Sequence, residues 1–252
     1  MPGILMHLSG PLQSFGEHSN FTDRDTHARP TRSALIGMLA AAQGRHRDAD
    51  LSDLRTLRFT IRTDRSGVRT VDFHTVGGGL PKDRSVPSAN GDRKAEGKAT
   101  VVTQRHYLAD AAFTIAVDGN PTLINALTTA LHSPRWPLYL GRRACPPAGP
   151  LLIATGLADA AAALASFPLH RRRPADANTV TVDVAHDRPP TTGHPARHHL
   201  QDDPESFDDY HRSWNVRTEY VTTLTLPADL CAGLGTDWIN ALATAQGLEA
   251  TA

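Results

Sequence analysis

Val101-Val102-Thr103-Gln104-Arg105-His106-Tyr107-Leu108-Ala109-Asp110-Ala111-Ala112-Phe113-Thr114-Ile115-Ala116-Val117 is the stretch on which the fold turns. Residues 101–107 read as one strand, and residues 110–117 as a second, closed by Asp118-Gly119. Upstream, Thr70 to Val76 reads as a partner strand. It is reached through the Ser66-Gly67 turn from Arg58-Phe59-Thr60-Ile61-Arg62-Thr63-Asp64, which alternates apolar and polar residues as a half-buried strand does. Downstream, Pro121 to His132 sets Leu123, Ile124, Leu127 and Leu131 on one helical face. Nearer the start, Ala34, Leu35, Met38, Leu39 and Ala42 form the stripe of a helix that Thr31 or Ser33 can cap and Gly44 ends. Ile4 to Leu8 reads as a short buried strand.

The order strand, helix, strand, strand, strand, helix resembles the split ferredoxin-like (RRM-like) pattern. Its final strand would be Leu138-Tyr139-Leu140 or Leu151-Leu152-Ile153. The expected class is α+β: an antiparallel sheet with helices on one face, a long arm, and an additional C-terminal β-rich part. Residues 1–153 would carry the first unit, and 154–252 an acidic extension of the same globule. In that extension, 157–166 reads as an Ala-rich helix and 186–211 as a polar loop. Residues 180–184 and 219–226 read as strands, and 238–248 as a peripheral helix. The arm is the excursion before Val101. Residues 77–99 break all periodicity with three consecutive glycines, two prolines and Lys82, Arg84, Arg93, Lys94 and Lys98. Such a stretch between two strands reads as an arm that orders on binding.

The 252 residues carry 26 Lys and Arg against 26 Asp and Glu, which excludes a polybasic or histone-like protein. The balance hides a partition. Residues 1–173 hold 22 basic and 14 acidic residues, a net +8, whereas residues 174–252 hold 4 and 12, a net −8. The acidic half is expected to face solvent or a basic neighbour. No apolar run approaches the ~20 residues that span a bilayer, the opening residues lack the pattern of a signal peptide, and two cysteines make no disulfide framework. A cytoplasmic protein without a membrane partner is expected.

Few motifs carry chemistry. His194, His198 and His199 with Asp202 and Asp203 are metal-ligand types, but they lie in a Pro-rich loop without helical i, i+4 spacing, so no metal and no cofactor are assigned. No phosphate-cradling glycine loop or nucleophile elbow is present. His74, His106 and Tyr107 lie on the strands that bracket the excursion and could meet across a hairpin. With Lys98 they would form a candidate acid–base set for cleaving RNA through its own 2′-hydroxyl; the alternative is that they pack, or stack on bases. The helix start at Thr31-Arg32-Ser33, with its free N–H groups, is a candidate anion site.

Four motifs in register narrow the choice: Ser9-Gly10-Pro11-Leu12-Gln13-Ser14-Phe15-Gly16, Arg29-Pro30-Thr31-Arg32-Ser33-Ala34-Leu35-Ile36-Gly37, Asp72-Phe73-His74-Thr75-Val76 with the stretch quoted at the start, and Trp136-Pro137-Leu138-Tyr139-Leu140-Gly141-Arg142-Arg143-Ala144-Cys145-Pro146-Pro147. In this order they resemble the CasD-type, type I-E members of the CRISPR-associated RAMP superfamily, closely over residues 3–153 and loosely beyond. The tail after Pro227 departs from the pattern.

The resemblance implies a ferredoxin-like fold with a thumb at residues 77–100 and a place in Cascade, an RNA-guided antiviral surveillance complex. Such subunits hold the single-stranded 5′ handle of the CRISPR RNA, cap the CasC filament and adjoin the large CasA subunit; target DNA is met only through the assembled complex. Carried over by motif, Gln13, Ser14, Arg29, Thr31, Arg32 and Ser33 would bind phosphates at the helix start. Arg105, His106, Tyr107, Arg142 and Arg143 would contact sugar or bases, and Lys82, Arg84, Arg93, Lys94 and Lys98 belong to the thumb. The expected role is a non-catalytic RNA-binding scaffold, since CasE takes the processing task in type I-E systems. The rival is a metal-independent endoribonuclease using His74, Lys98, His106 and Tyr107.

Overall fold

The computed structural model describes residues 2–17, 22–88, 90–97, 99–191 and 194–247. Its spine is a strand buried on both sides. All of β1 (Gly3–Ser9) is inaccessible, and its neighbours are β7 (Ala112–Asp118) and β8 (Leu152–Leu157), both antiparallel to it. β7 pairs in turn with β4 (Arg58–Arg65), and β4 with β9 (Thr179–His186). Beyond β9 lie β11 (Ser213–Pro227) and β10 (Ala196–Ser206), which completes a seven-stranded antiparallel sheet ordered β10-β11-β9-β4-β7-β1-β8. The last strand of the first unit is therefore β8. Residues 138–140 form no strand, and the loop expected over 186–211 contains the eleven-residue strand β10.

Alternation on β1 explains its double burial. Ile4, Met6 and Leu8 enter a core shared with α1 (Arg32–Gln43) and α2 (Pro121–His132). Leu5 points the other way, into a second core with Ile153, Ala160, Leu164 and Trp238. That second core is closed by α3 (Ala160–Ala163) and α4 (Thr236–Ala245). Helices thus cover both faces, not one as expected. The physical reason is in the sequence: the second face of β1 and β7 carries Leu5 and Ala116 beside the His7 and Thr114 pair, which a one-sided cover would leave in water.

Strand β4 carries the same lesson. Phe59 and Ile61 enter the first core, and on the polar face Arg62 and Asp64 are fully buried while Arg58 and Thr60 are half-buried. Arg62 Nε donates to Asp64 Oδ1 at 2.7 Å, and its other nitrogens donate to the Leu164, Phe167 and Pro168 carbonyls. One guanidinium thereby straps residues 164–168 across the sheet. Beside it, Thr114 donates to Asp64. The Thr114 oxygen must then accept from His7 Nδ1, 3.2 Å away, so His7 Nε2 accepts from His170 Nδ1 at 2.9 Å. Trp238 stacks on the His170 ring at 4.4 Å. Burial holds His7 down to about 3 and His170 down to about 4.

A second sheet stands apart. β5 (Val68–Val76) and β6 (Val101–Ala109) pair without a break from Val68↔Ala109 to Val76↔Val101, and β2 (Leu12–Gln13) and β3 (Asp23–Arg24) flank β6. Residues 77–97 are folded on themselves rather than aperiodic. A 3-10 turn at Lys82–Arg84 leads to a bridge between Pro87 and Arg93, and the buried Ser85 hydroxyl contacts the Lys82 and Lys94 carbonyls. Arg93 donates to the Ser85 carbonyl, while Lys82 and Arg84 are exposed. Lys98 lies outside the described residues.

Candidate nucleic-acid interface

The expected anion site at the start of α1 is already filled. Thr31 caps the helix by accepting from the Ala34 N–H, and the Arg32 N–H donates to Asp202 Oδ2 at 2.7 Å. The Arg32 side chain is buried between Asp187 and Asp203, and it also donates to the Leu57 and Arg55 carbonyls. Arg29 pairs with Glu219 at 2.6 Å, and Arg217 grips Asp202 and Asp187. Gln13 is buried and donates to the Ala111 carbonyl at 2.7 Å; the Ser14 hydroxyl donates to the His106 carbonyl. Gln13, Ser14, Arg29, Thr31 and Arg32 are thus engaged by partners within the protein, although Ser14 also lines the groove described below. A helix start attracts an anion, and here the acidic half of the chain supplies it. Ser33, whose hydroxyl contacts that of Thr31, also lines a separate cavity. The acidic half likewise does not simply face solvent: Asp187, Asp203 and Glu219 neutralise arginines of the basic half, and Asp202 accepts from the Arg32 N–H. His198 and His199 are exposed on β10, and Asp202 and Asp203 are held by arginine, so the mixed cluster does not converge on one point.

Alternation separates the second set. On the β5–β6 hairpin, His74, Asp72, Arg105 and Tyr107 share one face, whereas His106 shares the other with Val71, Phe73 and Val102. His106 pairs with Asp23 at 2.9 Å, and His74 with Asp72 at 3.1 Å. The two histidines thus do not meet across the hairpin, and His106 does not join Arg105 and Tyr107 in one site.

What does converge is a groove of about 580 Å³ lined by Arg24, Arg105, Tyr107, Arg142 and Arg143, with Ser14 and Gly141 at its floor. Parallel pairing of β3 with β6 sets Arg24 beside Arg105. The turn that carries Arg142 and Arg143 is bound to the loop after β2: the Ser14 N–H donates to the Leu140 carbonyl, and Leu140 N–H to the Cys145 carbonyl. Gly141 sits at φ 84°, where a Cβ would collide with the Ser14 carbonyl oxygen, so only glycine closes this turn. The turn lays the Arg142 guanidinium over the Tyr107 ring, 4.6 Å from its centre. Arg142 Nη2 donates to the Arg24 carbonyl at 2.8 Å, while its Nη1 is buried without a hydrogen-bond partner. Arg143 and Arg24 are exposed and have no carboxylate partner among the described residues. The groove therefore presents a fixed guanidinium, an aromatic ring and three further cations to an anion (Arg24 and Gly141 were not singled out from sequence). Only the parallel β3–β6 pairing brings Arg24 in, and a two-residue strand has no periodicity to read.

Known proteins give this arrangement its family. The family described as "CRISPR-associated protein (Cas_Cas5)" matches residues 3–222, well past the four motifs. The CRISPR system Cascade subunit CasD of Escherichia coli (strain K12) is 36% identical over 169 residues, covering 60% of this chain and 70% of the relative. A chain of a solved structure described as a CRISPR RNA-guided surveillance complex is 48% identical with a TM-score of 0.83, covering 96% of this chain and 98% of that one. A second, described as the crystal structure of a Cas protein, is 32% identical with a TM-score of 0.62 over 93% of this chain and 99% of that one. With a double-faced sheet, a basic groove and a family match that runs over most of its length, the chain belongs to the CRISPR-associated Cas5 protein family.

Proposed function

We propose that this chain is the CasD-type subunit of a Cascade surveillance complex and that the Arg24–Arg105–Tyr107–Arg142–Arg143 groove holds the single-stranded 5′ handle of its CRISPR RNA. The observation that carries the reading is Arg142, flat on Tyr107 with one buried nitrogen unsatisfied. A buried donor without a partner costs free energy unless a ligand completes it, and a phosphate or base acceptor suits a guanidinium. Single-stranded RNA suits the rest, since the exposed Arg24 and Arg143 can track its backbone while Tyr107 holds the Arg142 guanidinium in place.

The ferredoxin-like reading is supported by the element order β1, α1, β4, β7, α2, β8 and the spatial order β4-β7-β1-β8. Residues 77–100 act in this reading as the thumb, with Lys82, Arg84, Arg93 and Lys94 toward RNA or the neighbouring CasC subunit. The chain caps the CasC filament beside CasA, in the cytoplasm, and meets target DNA only through guide pairing. The role is non-catalytic: His74 and His106 on opposite faces of one hairpin do not form an acid–base pair.

The test is binding of a handle-sequence RNA to the purified chain across a salt series. Loss of affinity in Arg142→Ala with Arg143→Ala is the expected result. Equal affinity, or metal-independent cleavage of repeat RNA that His106→Ala abolishes, would reject the reading.

A further inference from the structure

A second cavity, of about 540 Å³, lies beside the groove and differs from it in chemistry. One wall is α1, where Gly37 and Ala41 are half-buried and Met38 reaches the cavity from the core side; the others are Trp136 and Tyr139 of the glycine turn and Phe207 beyond β10. Gly37 leaves the wall open, because a Cβ there would meet only the Phe207 ring, at 3.6 Å. The cations around it are mostly spent. Arg45 is forked onto Asp53 at 2.6 and 2.5 Å and donates to the Asp50 carbonyl, and Arg47 faces Asp209 at 3.3 Å. The Ser33 hydroxyl lies 3.3 Å from that of Thr31. Arg143, at the mouth, is shared with the groove and has no carboxylate partner among the described residues.

Those details separate two occupants. A nucleobase brings donors and acceptors on its edge, and here Arg45 and Arg47 are already held by carboxylates and His46 packs edge-on against the Trp136 ring, which leaves such an edge few partners. A large apolar side chain leaves nothing unsatisfied and displaces water from aromatic walls. We infer that this cavity is the socket for an apolar anchor residue, flanked by Asp or Glu, on a neighbouring protein subunit of the complex. The carboxylate meets Arg143 at the mouth, so the partner sits where the groove ends. The inference rests on the chain being a subunit of a complex, and not on what the groove binds.

The test uses the intact complex, assembled from this chain and the remaining subunits of its own system with guide RNA. Only three methionines are present, so photo-methionine incorporated into this chain places a near-isosteric cross-linker at Met38. Mass spectrometry is expected to find position 38 joined to a protein peptide bearing a large apolar residue next to an acidic one. Gly37→Leu, which fills the socket, is expected to lower retention of that subunit about tenfold while the isolated chain melts no lower and binds handle RNA as before. A cross-link from position 38 to RNA or to no other chain, or an intact complex with Gly37→Leu, would overturn the inference. A wild-type chain that assembles with no other subunit would instead sink the parent reading.

Discussion

Tyr107 and its chain neighbour His106 face opposite sides of the β5–β6 hairpin, one under Arg142 in the groove and the other against Asp23. Mutation should therefore split them. Tyr107→Ala removes the platform of Arg142, a contact worth about 0.5–2 kcal/mol, and is expected to weaken handle RNA by several-fold to tenfold. His106→Ala is expected to leave the affinity unchanged; titrations of both variants against a labelled handle RNA check this.

The groove cations act through charge, so salt reports on them. Each lost phosphate contact on a single strand lowers the slope of log affinity against log salt by about 0.7. Arg142→Ala with Arg143→Ala is expected to flatten the slope by about 1.4. An unaltered slope would place the RNA elsewhere.

Arg32 should behave oppositely. It is buried among Asp187, Asp203 and two backbone carbonyls, so Arg32→Ala leaves Asp187 with Arg217 alone and Asp203 with Arg55 alone. Removing one partner of a buried pair costs about 3–5 kcal/mol. For a chain of this size that corresponds to a fall of about 6–20 °C in melting temperature. Protein that remains folded is expected to retain the wild-type salt slope, which calorimetry and titration together would establish.

The His7–His170 pair gives the fold an acid limit. Both residues are held below their ordinary value by burial, so the unfolded chain binds more protons than the folded one as pH falls below about 6.5. Stability is full above that value and is lost on acidification toward about 4, where His170 charges, and about 3, where His7 does. Protonating His170 leaves its Nδ1–H donating, whereas protonating His7 sets two N–H groups face to face. Urea melts between pH 7 and 4.5 should show the decline, and His7→Gln should reduce its steepness by about one proton.

Much of this could be read in the chain. The strands at 4–8, 58–64, 70–76, 101–107 and 110–117 and both long helices follow from period and capping. Thr31 and Gly44 end α1 where their chemistry demands. Burial of the polar side of β4 could not be read, because Arg62 and Asp64 satisfy each other and alternation reports polarity rather than exposure. Strand β10 was hidden by its histidines, aspartates and Pro204, residues poor in strand propensity that pairing with β11 overrides. In the groove, Arg105, Tyr107, Arg142 and Arg143 lay in motifs that could be quoted. The carboxylate partners of Arg29 and Arg32 could not be read locally, because the counter-anion of the helix start lies some 170 residues downstream in Asp202.

That distance has a consequence for synthesis. A ribosome delivers the first 173 residues, with their net +8, before any of the carboxylates at 187, 202, 203 and 219 exist. Domains fold as units in the order they emerge, so the start of α1 and Arg29 wait, unneutralised, for the last quarter of the chain. Completion of β10 and β11 then brings the carboxylates that neutralise Arg29 and Arg32, while Arg24 and Arg143 in the groove keep no carboxylate partner among the described residues.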